Sequence, residues 1–129
     1  MEEKRKGILM VDDTKPIRVL VLKTFEKKYK IFLEEKGIEA LRTLRDYEDE
    51  INLIILDFEM PKLNGYQLLK MIRNVNDKIP VIMMSASLNE ERVRKIRKLN
   101  VDEFLAKPVN VNRLKEVIRK YLENNDQEI

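Results

Sequence analysis

The chain has 129 residues, of which 43% are hydrophobic and 38% charged, enough for one domain with an apolar core beneath a charged surface. It contains no cysteine and no histidine, which excludes disulfides, zinc–sulfur sites and nucleophiles that depend on an imidazole base. Any bound metal would have oxygen ligands, which favours magnesium, calcium or manganese. The 26 basic and 23 acidic residues leave a net charge of only +3, too small an excess to indicate DNA binding through phosphates.

The apolar residues are spread too thinly for a membrane segment. Uninterrupted apolar runs reach only four residues, for example at 8–11 and 53–56. A membrane helix needs about 20 apolar residues, and a signal peptide needs an apolar stretch of about 7–15. We therefore expect a cytoplasmic protein that makes no membrane contact.

Short apolar runs alternate with segments of helical period along the first half of the chain. The runs at 8–11, 29–33 and 51–56 predict three strands. After each run, apolar residues recur at helical spacing, at positions 17, 20, 21 and 25, then 40, 41 and 44, then 68, 69, 72 and 75. Thr14 is placed to cap the first helix, and Pro16 suits its first turn.

The second half repeats this alternation. Runs at 81–84 and 104–106 predict two more strands, and apolar residues at helical spacing follow each, at 93, 96 and 99, then at 114, 117, 118, 121 and 122. Five strands each followed by a helix predict an α/β domain with a parallel, doubly wound sheet. We expect one domain over 1–129, with a core at about 7–122 and short polar tails at 1–6 and 123–129.

Polar residues stand where the predicted strands end, namely Asp12, Asp13, Asp57, Ser85 and Lys107. In open α/β sheets the carboxyl ends of the strands form the ligand crevice, so these side chains should meet there. Carboxylates this close need a compensating cation, and oxygen ligands favour magnesium. A carboxylate can attack phosphorus to form an acyl phosphate, while a metal ion, a lysine and a hydroxyl neutralise the phosphoryl oxygens.

Each of these residues also has an ordinary structural interpretation when taken alone. Asp12 and Asp13 could cap a helix, Asp57 could belong to a turn, Ser85 could cap the next helix, and Lys107 could be a solvated lysine. Their joint placement at the ends of four strands favours the site over these separate explanations.

Four stretches of the chain, read together, resemble the receiver domain of two-component response regulators. They are ILMVDDTKPIR, LIILDFEMPKLNGYQLL, PVIMMSA and FLAKPVNVNRLKEVI, and the resemblance runs from about residue 8 to 122. It rests on an Asp pair, Asp-x-x-Met-Pro-x-x-x-Gly, a strand-end Ser or Thr, and Lys-Pro, in that order. The resemblance implies a flavodoxin-like (βα)5 fold with strand order 2-1-3-4-5.

The same resemblance implies a phosphoacceptor and a metal site. Asp57 matches the phosphoacceptor, and Asp12 and Asp13 match the acidic pair that holds Mg²⁺ (or Mn²⁺) together with Asp57. The backbone carbonyl of Glu59 would be the remaining protein ligand.

Three further residues match the parts that respond to phosphorylation. Ser85 matches the switch hydroxyl, Lys107 the lysine that contacts the phosphoryl group, and Phe104 the aromatic switch. The alternative for Phe104 is a fixed core ring. The Lys107–Pro108 peptide bond should be cis by resemblance.

Some positions depart from the family pattern. Asn100 and Val101 replace a common Gly-Ala, and Asn tolerates the left-handed conformation that such a turn needs. Ser85 stands where many receivers have Thr, and Glu59 and Ser87 fall at positions that tune dephosphorylation. A run of basic residues could meet an acidic partner or form a solvated helix face; it comprises Arg92, Arg94, Lys95, Arg97 and Lys98.

The main functional hypothesis is a stand-alone receiver. A sensor histidine kinase would phosphorylate Asp57, and a protein target would bind the face formed by the fourth helix, fifth strand and fifth helix. The chain would assist only its own phosphorylation and dephosphorylation, without being an enzyme. Alternatives are a phosphorelay intermediate that serves a His phosphotransfer protein, or a receiver excised from a longer regulator.

Two other classes fit less well. Phosphatases of the haloacid dehalogenase type also use a nucleophilic Asp after an apolar strand, but their Asp-x-Asp-x-Thr motif is replaced here by Asp12-Asp13-Thr14. Direct nucleic-acid binding would rest on the basic run alone, so we do not expect it.

Overall fold

The computed structural model describes residues 4–123. In this part of the chain five strands alternate with five helices: β1 (Gly7–Val11), α1 (Lys15–Phe25), β2 (Lys30–Glu34), α2 (Gly37–Asp46), β3 (Ile51–Asp57), α3 (Gly65–Val75), β4 (Val81–Ser85), α4 (Glu90–Arg97), β5 (Glu103–Ala106) and α5 (Val111–Leu122). The strands form one parallel sheet of order β2-β1-β3-β4-β5. The doubly wound α/β fold and its strand order are therefore confirmed.

Two apolar layers enclose the sheet, because successive side chains of a strand point to opposite faces. On β1, Leu9 and Val11 pack with α2, α3 and Ile96 of α4, whereas Ile8 and Met10 pack with α1 and α5. All five residues of β1 and of β4 are buried. The continuous apolar runs thus belong to strands covered on both faces, as expected for parallel sheets.

Several local predictions differ from the structure by small amounts. Strand β2 begins at Lys30, one residue later than the apolar run indicated. Leu20 was expected on the inner face of α1 but is 37% exposed, since that helix buries only a stripe that includes Val21 and Phe25. Thr14 is the N-cap residue of α1, yet its hydroxyl makes no capping bond and donates instead to Asp12 Oδ1 at 2.5 Å.

Three backbone features shape the loops between strands and helices. Asn100 has φ 62°, which confirms the left-handed turn expected there, and the Lys107–Pro108 bond is cis, as the resemblance implied. Gly65 lies against the β3–α3 loop, where a Cβ atom would come within 2.7 Å of Phe58 Cα. Its N–H donates to the Phe58 carbonyl at 2.9 Å, so glycine lets α3 begin close to the end of β3.

The predicted tails lie partly outside the described residues, which omit 1–3 and 124–129. Glu123, placed in the tail by the sequence pattern, accepts hydrogen bonds from Lys28 at 3.0 Å and from the Tyr29 hydroxyl. Between residues 4 and 123, no helix has the length and apolar character to cross a membrane.

Candidate functional site at the carboxyl ends of the strands

The buried polar side chains of the described region lie at the carboxyl ends of the strands. Asp12 follows β1, while Asp57 and Ser85 end β3 and β4, and all three are 0% exposed. Lys107 follows β5, and its N–H donates to the Ser85 carbonyl at 3.0 Å, which fixes its backbone beside the end of β4. The apolar strands therefore deliver these four residues to a common crevice, as the sequence predicted.

Three carboxylates form an acidic cluster in this crevice. One oxygen each of Asp12, Asp13 and Asp57 lie within 4.8 Å of one another. Asp12 Oδ1 accepts bonds from the backbone N–H of Thr14 at 2.7 Å and from its hydroxyl. The second oxygens of Asp12 and Asp57, both buried, have no hydrogen-bond partner.

Unpartnered buried carboxylate oxygens are costly unless a cation binds them. Mg²⁺ prefers oxygen ligands and is commonly held by one or two carboxylates with water or phosphate in its other positions. The donor set and the two unpartnered oxygens thus fit a divalent cation. The cluster consists of side-chain oxygens, and the role of the Glu59 carbonyl as a further ligand stays a prediction.

The electrostatics of Asp57 follow from its burial and its neighbours. Burial, reinforced by the negative charge of Asp12, raises its pKa to about 6, although the hydrogen bond and charge of Lys107 act in the opposite direction. Lys107 Nζ lies 2.6 Å from Asp57 Oδ1. Burial alone would lower the pKa of Lys107, but its bond to Asp57 raises that pKa above the ordinary value. The crevice therefore holds an ion pair beside an excess of negative charge.

A hydrogen-bond network surrounds Ser85 on the other side of the crevice. Ser85 Oγ donates to Glu59 Oε2 at 2.5 Å, and the N–H of Ala86 donates to Glu59 Oε1 at 2.9 Å. From α4, Arg92 Nη1 donates to Glu59 Oε2 and to Ser85 Oγ, both at 3.2 Å. Burial would raise the pKa of Glu59, but the bonds from Ser85 and Ala86 and the charges of Lys107 and Arg92 hold it below its ordinary value.

Sequence reasoning missed Arg92 as a neighbour of the site. It grouped Arg92 with the basic run, whose other members Arg94, Lys95, Arg97 and Lys98 are exposed. The available signal was the N-cap: the Asn89 side chain accepts from the Arg92 N–H at 2.8 Å, which puts Arg92 in the first turn of α4 beside the end of β4. The same N-cap removes the alternative in which Ser85 caps this helix.

Phe104 is set apart from the polar cluster. It lies on β5 opposite Met83 in register, half-buried against the layer that contains α4. The guanidinium carbon of Arg97 is 5.6 Å from its ring centroid. Its role as an aromatic switch remains a prediction.

Comparisons with known proteins find a matching family and similar relatives. A model described as "Response regulator receiver domain" matches residues 8–119. The chain is 30% identical over 116 residues to Sporulation initiation phosphotransferase F of Bacillus subtilis, an alignment that covers 89% of this chain and 92% of that protein. It is 36% identical over 115 residues to Regulator of RpoS of Escherichia coli, covering 88% of this chain but only 34% of the relative.

Solved structures agree with the fold. A CheY-like response regulator receiver domain protein from Methanospirillum hungatei superposes with a TM-score of 0.87 at 25% identity, covering 97% of this chain and 99% of that one. Chemotaxis protein CheY4 of Vibrio cholerae gives a TM-score of 0.85 at 25% identity, covering 92% and 99%.

Proposed function

The chain belongs to the response regulator receiver domain family, and on that premise we propose that it accepts a phosphoryl group on Asp57 from a sensor histidine kinase. Receiver domains of this family are phosphorylation switches of two-component signalling that control partner proteins. The observation that carries the proposal is the Asp57 carboxylate, fully buried at the strand ends, ion-paired with Lys107 at 2.6 Å and clustered with two further acids.

In the proposed reaction, a carboxylate oxygen of Asp57 attacks the phosphorus of a phosphohistidine on the kinase. A phosphorus–oxygen bond forms, the phosphorus–nitrogen bond breaks, and the imidazole leaves with the bonding electron pair. Lys107 neutralises part of the charge on the phosphoryl oxygens from its position beside Asp57. Because the chain lacks histidine, the donor imidazole comes from the partner.

Asp12, Asp13 and Asp57, with the backbone carbonyl of Glu59, would hold Mg²⁺ or Mn²⁺. When bound, the metal supplies positive charge that offsets the acidic cluster and the incoming phosphoryl oxygens. Asp12 and Asp57 would contribute the oxygens that now lack hydrogen-bond partners. Receiver domains bind Mg²⁺ at such an acidic pocket, which supports this assignment.

Phosphorylation would then change the partner-binding face. Ser85 would turn its hydroxyl toward the phosphoryl group, and Phe104 would change its packing on β5. The face formed by α4, β5 and α5 would carry this change to a protein target, with its exposed basic residues suited to an acidic one. We further propose that the chain acts in the cytoplasm and assists its own phosphorylation and dephosphorylation.

A phosphoryl donor and a phosphoryl analogue test this proposal. Acetyl phosphate should phosphorylate the protein, and beryllofluoride should bind it, only when Mg²⁺ is present, and intact-mass analysis should find one phosphoryl group. Asp57→Asn should abolish both results, whereas Asp49→Asn, which removes an exposed carboxylate elsewhere, should leave them intact. Equal labelling of Asp57→Asn and the unmodified protein would overturn the assignment of the phosphoacceptor.

A second candidate function is that of a relay carrier. It is favoured by the similarity to a protein named as a phosphotransferase, of which the alignment covers 92%. A carrier should pass radiolabelled phosphate from Asp57 to a His phosphotransfer protein within minutes. A stand-alone switch should instead retain the label and bind its target more tightly when phosphorylated.

A further inference from the structure

Three hydrogen-bond donors converge on the side chain of Glu59, namely the Ser85 hydroxyl at 2.5 Å, the Ala86 N–H at 2.9 Å and Arg92 Nη1 at 3.2 Å. Lys107 Nζ forms an ion pair with the same carboxylate at 3.8 Å. Lys107 simultaneously lies 2.6 Å from Asp57 Oδ1. The Glu59 carboxylate therefore occupies an anion-binding position directly beside the side chain that we propose to be phosphorylated.

The hydroxyl of Ser85 has no spare donor for a second anion. It has one proton, which it donates to Glu59, and it accepts from the Ser87 N–H at 3.1 Å and from Arg92 Nη1 at 3.2 Å. A phosphoryl group on Asp57 can bind this hydroxyl only if the hydroxyl leaves Glu59. The two anions thus compete for the same proton.

We propose that the Glu59 carboxylate is an internal competitor that holds the phosphoryl-binding donors in the unphosphorylated protein, and that Arg92 is the positioning residue that clamps it there. This inference rests on the proposed function, because it takes Asp57 as the phosphoacceptor. It assigns to Glu59 a contact made by its side chain, separate from the metal contact proposed for its carbonyl.

Further contacts of Arg92 fix its side chain beside Glu59. Besides Glu59 and Ser85, its Nη1 donates to the Ser87 carbonyl at 2.8 Å. Its guanidinium carbon lies 4.0 Å from the centroid of the Phe58 ring. A planar guanidinium can stack on an aromatic ring while it forms directed hydrogen bonds, which a lysine cannot reproduce. Arg92 thereby joins α4 to the β3–α3 loop and to the end of β4.

The proposed role of Arg92 and simple charge attraction predict opposite changes in the affinity for a phosphoryl analogue when Arg92 is removed. If Arg92 only attracted anions, its removal would weaken the binding of a phosphoryl analogue. As a clamp it stabilises the competing Glu59 carboxylate, so its removal should strengthen that binding. The sign of the change therefore decides between the two roles.

The experiment measures the affinity for beryllofluoride by ¹⁹F NMR titration of the full chain at saturating Mg²⁺. Glu59→Gln should tighten binding about tenfold, the size expected for loss of a charged hydrogen-bonding competitor. Arg92→Met should tighten it about threefold, and Arg92→Lys should also tighten it, although it keeps the positive charge. Glu116→Gln and Arg45→Met, which change exposed charges elsewhere, should have no effect.

Coupling between the two residues gives the second criterion. Arg92→Met should change the affinity less than about twofold when Glu59 is already Gln, since the clamp then has no carboxylate to hold. Weaker binding by Arg92→Met, independent effects in the double variant, or unchanged binding by Glu59→Gln would each overturn the inference. Undiminished beryllofluoride binding by Asp57→Asn would instead overturn the phosphoacceptor assignment, so the two failures are distinguishable.

Discussion

Replacing Asp57 with Asn should stabilise the metal-free protein at neutral pH. Asp57 is 0% exposed, and burial raises the pKa of its carboxyl from 3.8 to about 6. The folded protein therefore holds the proton more tightly than the unfolded chain. The stability that the protonated carboxyl contributes is complete below about pH 4 and is lost as the pH rises through about 6.

The size of the effect follows from this difference in pKa. At about 1.4 kcal/mol for each pH unit, ionised Asp57 should lower the free energy of unfolding by about 3 kcal/mol at pH 7.5. Asn is neutral and close in shape, so Asp57→Asn should recover most of that amount, or about 10 °C in Tm for a domain of this size. At pH 4 the gain should fall to about 0.5 kcal/mol.

Urea denaturation in EDTA, followed by circular dichroism at pH 4 and pH 7.5, measures both values. Asp49→Asn removes an exposed carboxylate outside the cluster and should change the free energy of unfolding by less than about 0.5 kcal/mol. A destabilised or unchanged Asp57→Asn at pH 7.5 would show that Lys107 fully compensates the buried charge. A gain that did not depend on pH would refute the role of ionisation.

Three further predictions concern the metal, a loop anchor and the core. Mg²⁺ at a hundred times its Kd should raise the free energy of unfolding by about 2.7 kcal/mol in thermal or urea melts, and Asp12→Asn should abolish this gain; an equal gain in the variant would exclude Asp12 as a ligand. Arg73 donates hydrogen bonds to the carbonyls of Leu99, Asn76, Ile79 and Asn100. Arg73→Met should therefore lower the free energy of unfolding, measured by urea denaturation, by about 3 kcal/mol. A decrease of less than about 1 kcal/mol would contradict the anchoring role of Arg73. Leu114→Ala should lower the free energy of unfolding by about 2–5 kcal/mol, because Leu114 is 1% exposed. Lys115→Ala, at the exposed neighbouring position, is the control. Equal decreases for the two variants would contradict the assigned inner face of α5.

The order of elements and the placement of the polar residues could be predicted from the sequence because both depend on local patterns. Apolar runs and helical spacing predicted all five strands and helices within the described region, with boundary differences such as the start of β2 at Lys30. Each strand-end residue is adjacent to an apolar run, so Asp12, Asp57 and Ser85 could be assigned to one crevice before any distance was known. The motif order and the resemblance supplied the strand order and the cis bond before Pro108.

The tertiary structure alone decided which side chains touch within the crevice. Arg92 and Glu59 are 33 positions apart, and no periodicity relates them, yet the first turn of α4 brings them to 3.2 Å. The exposure of Leu20 likewise depends on how α1 lies on the sheet. Burial and the nearby negative charge of Asp12, which raise the pKa of Asp57 to about 6, are properties of the packed crevice. The sequence by itself determined which groups meet at the strand ends, and only the folded chain decided which of them pair, because hydrogen bonds and charge interactions depend on distances of a few ångströms.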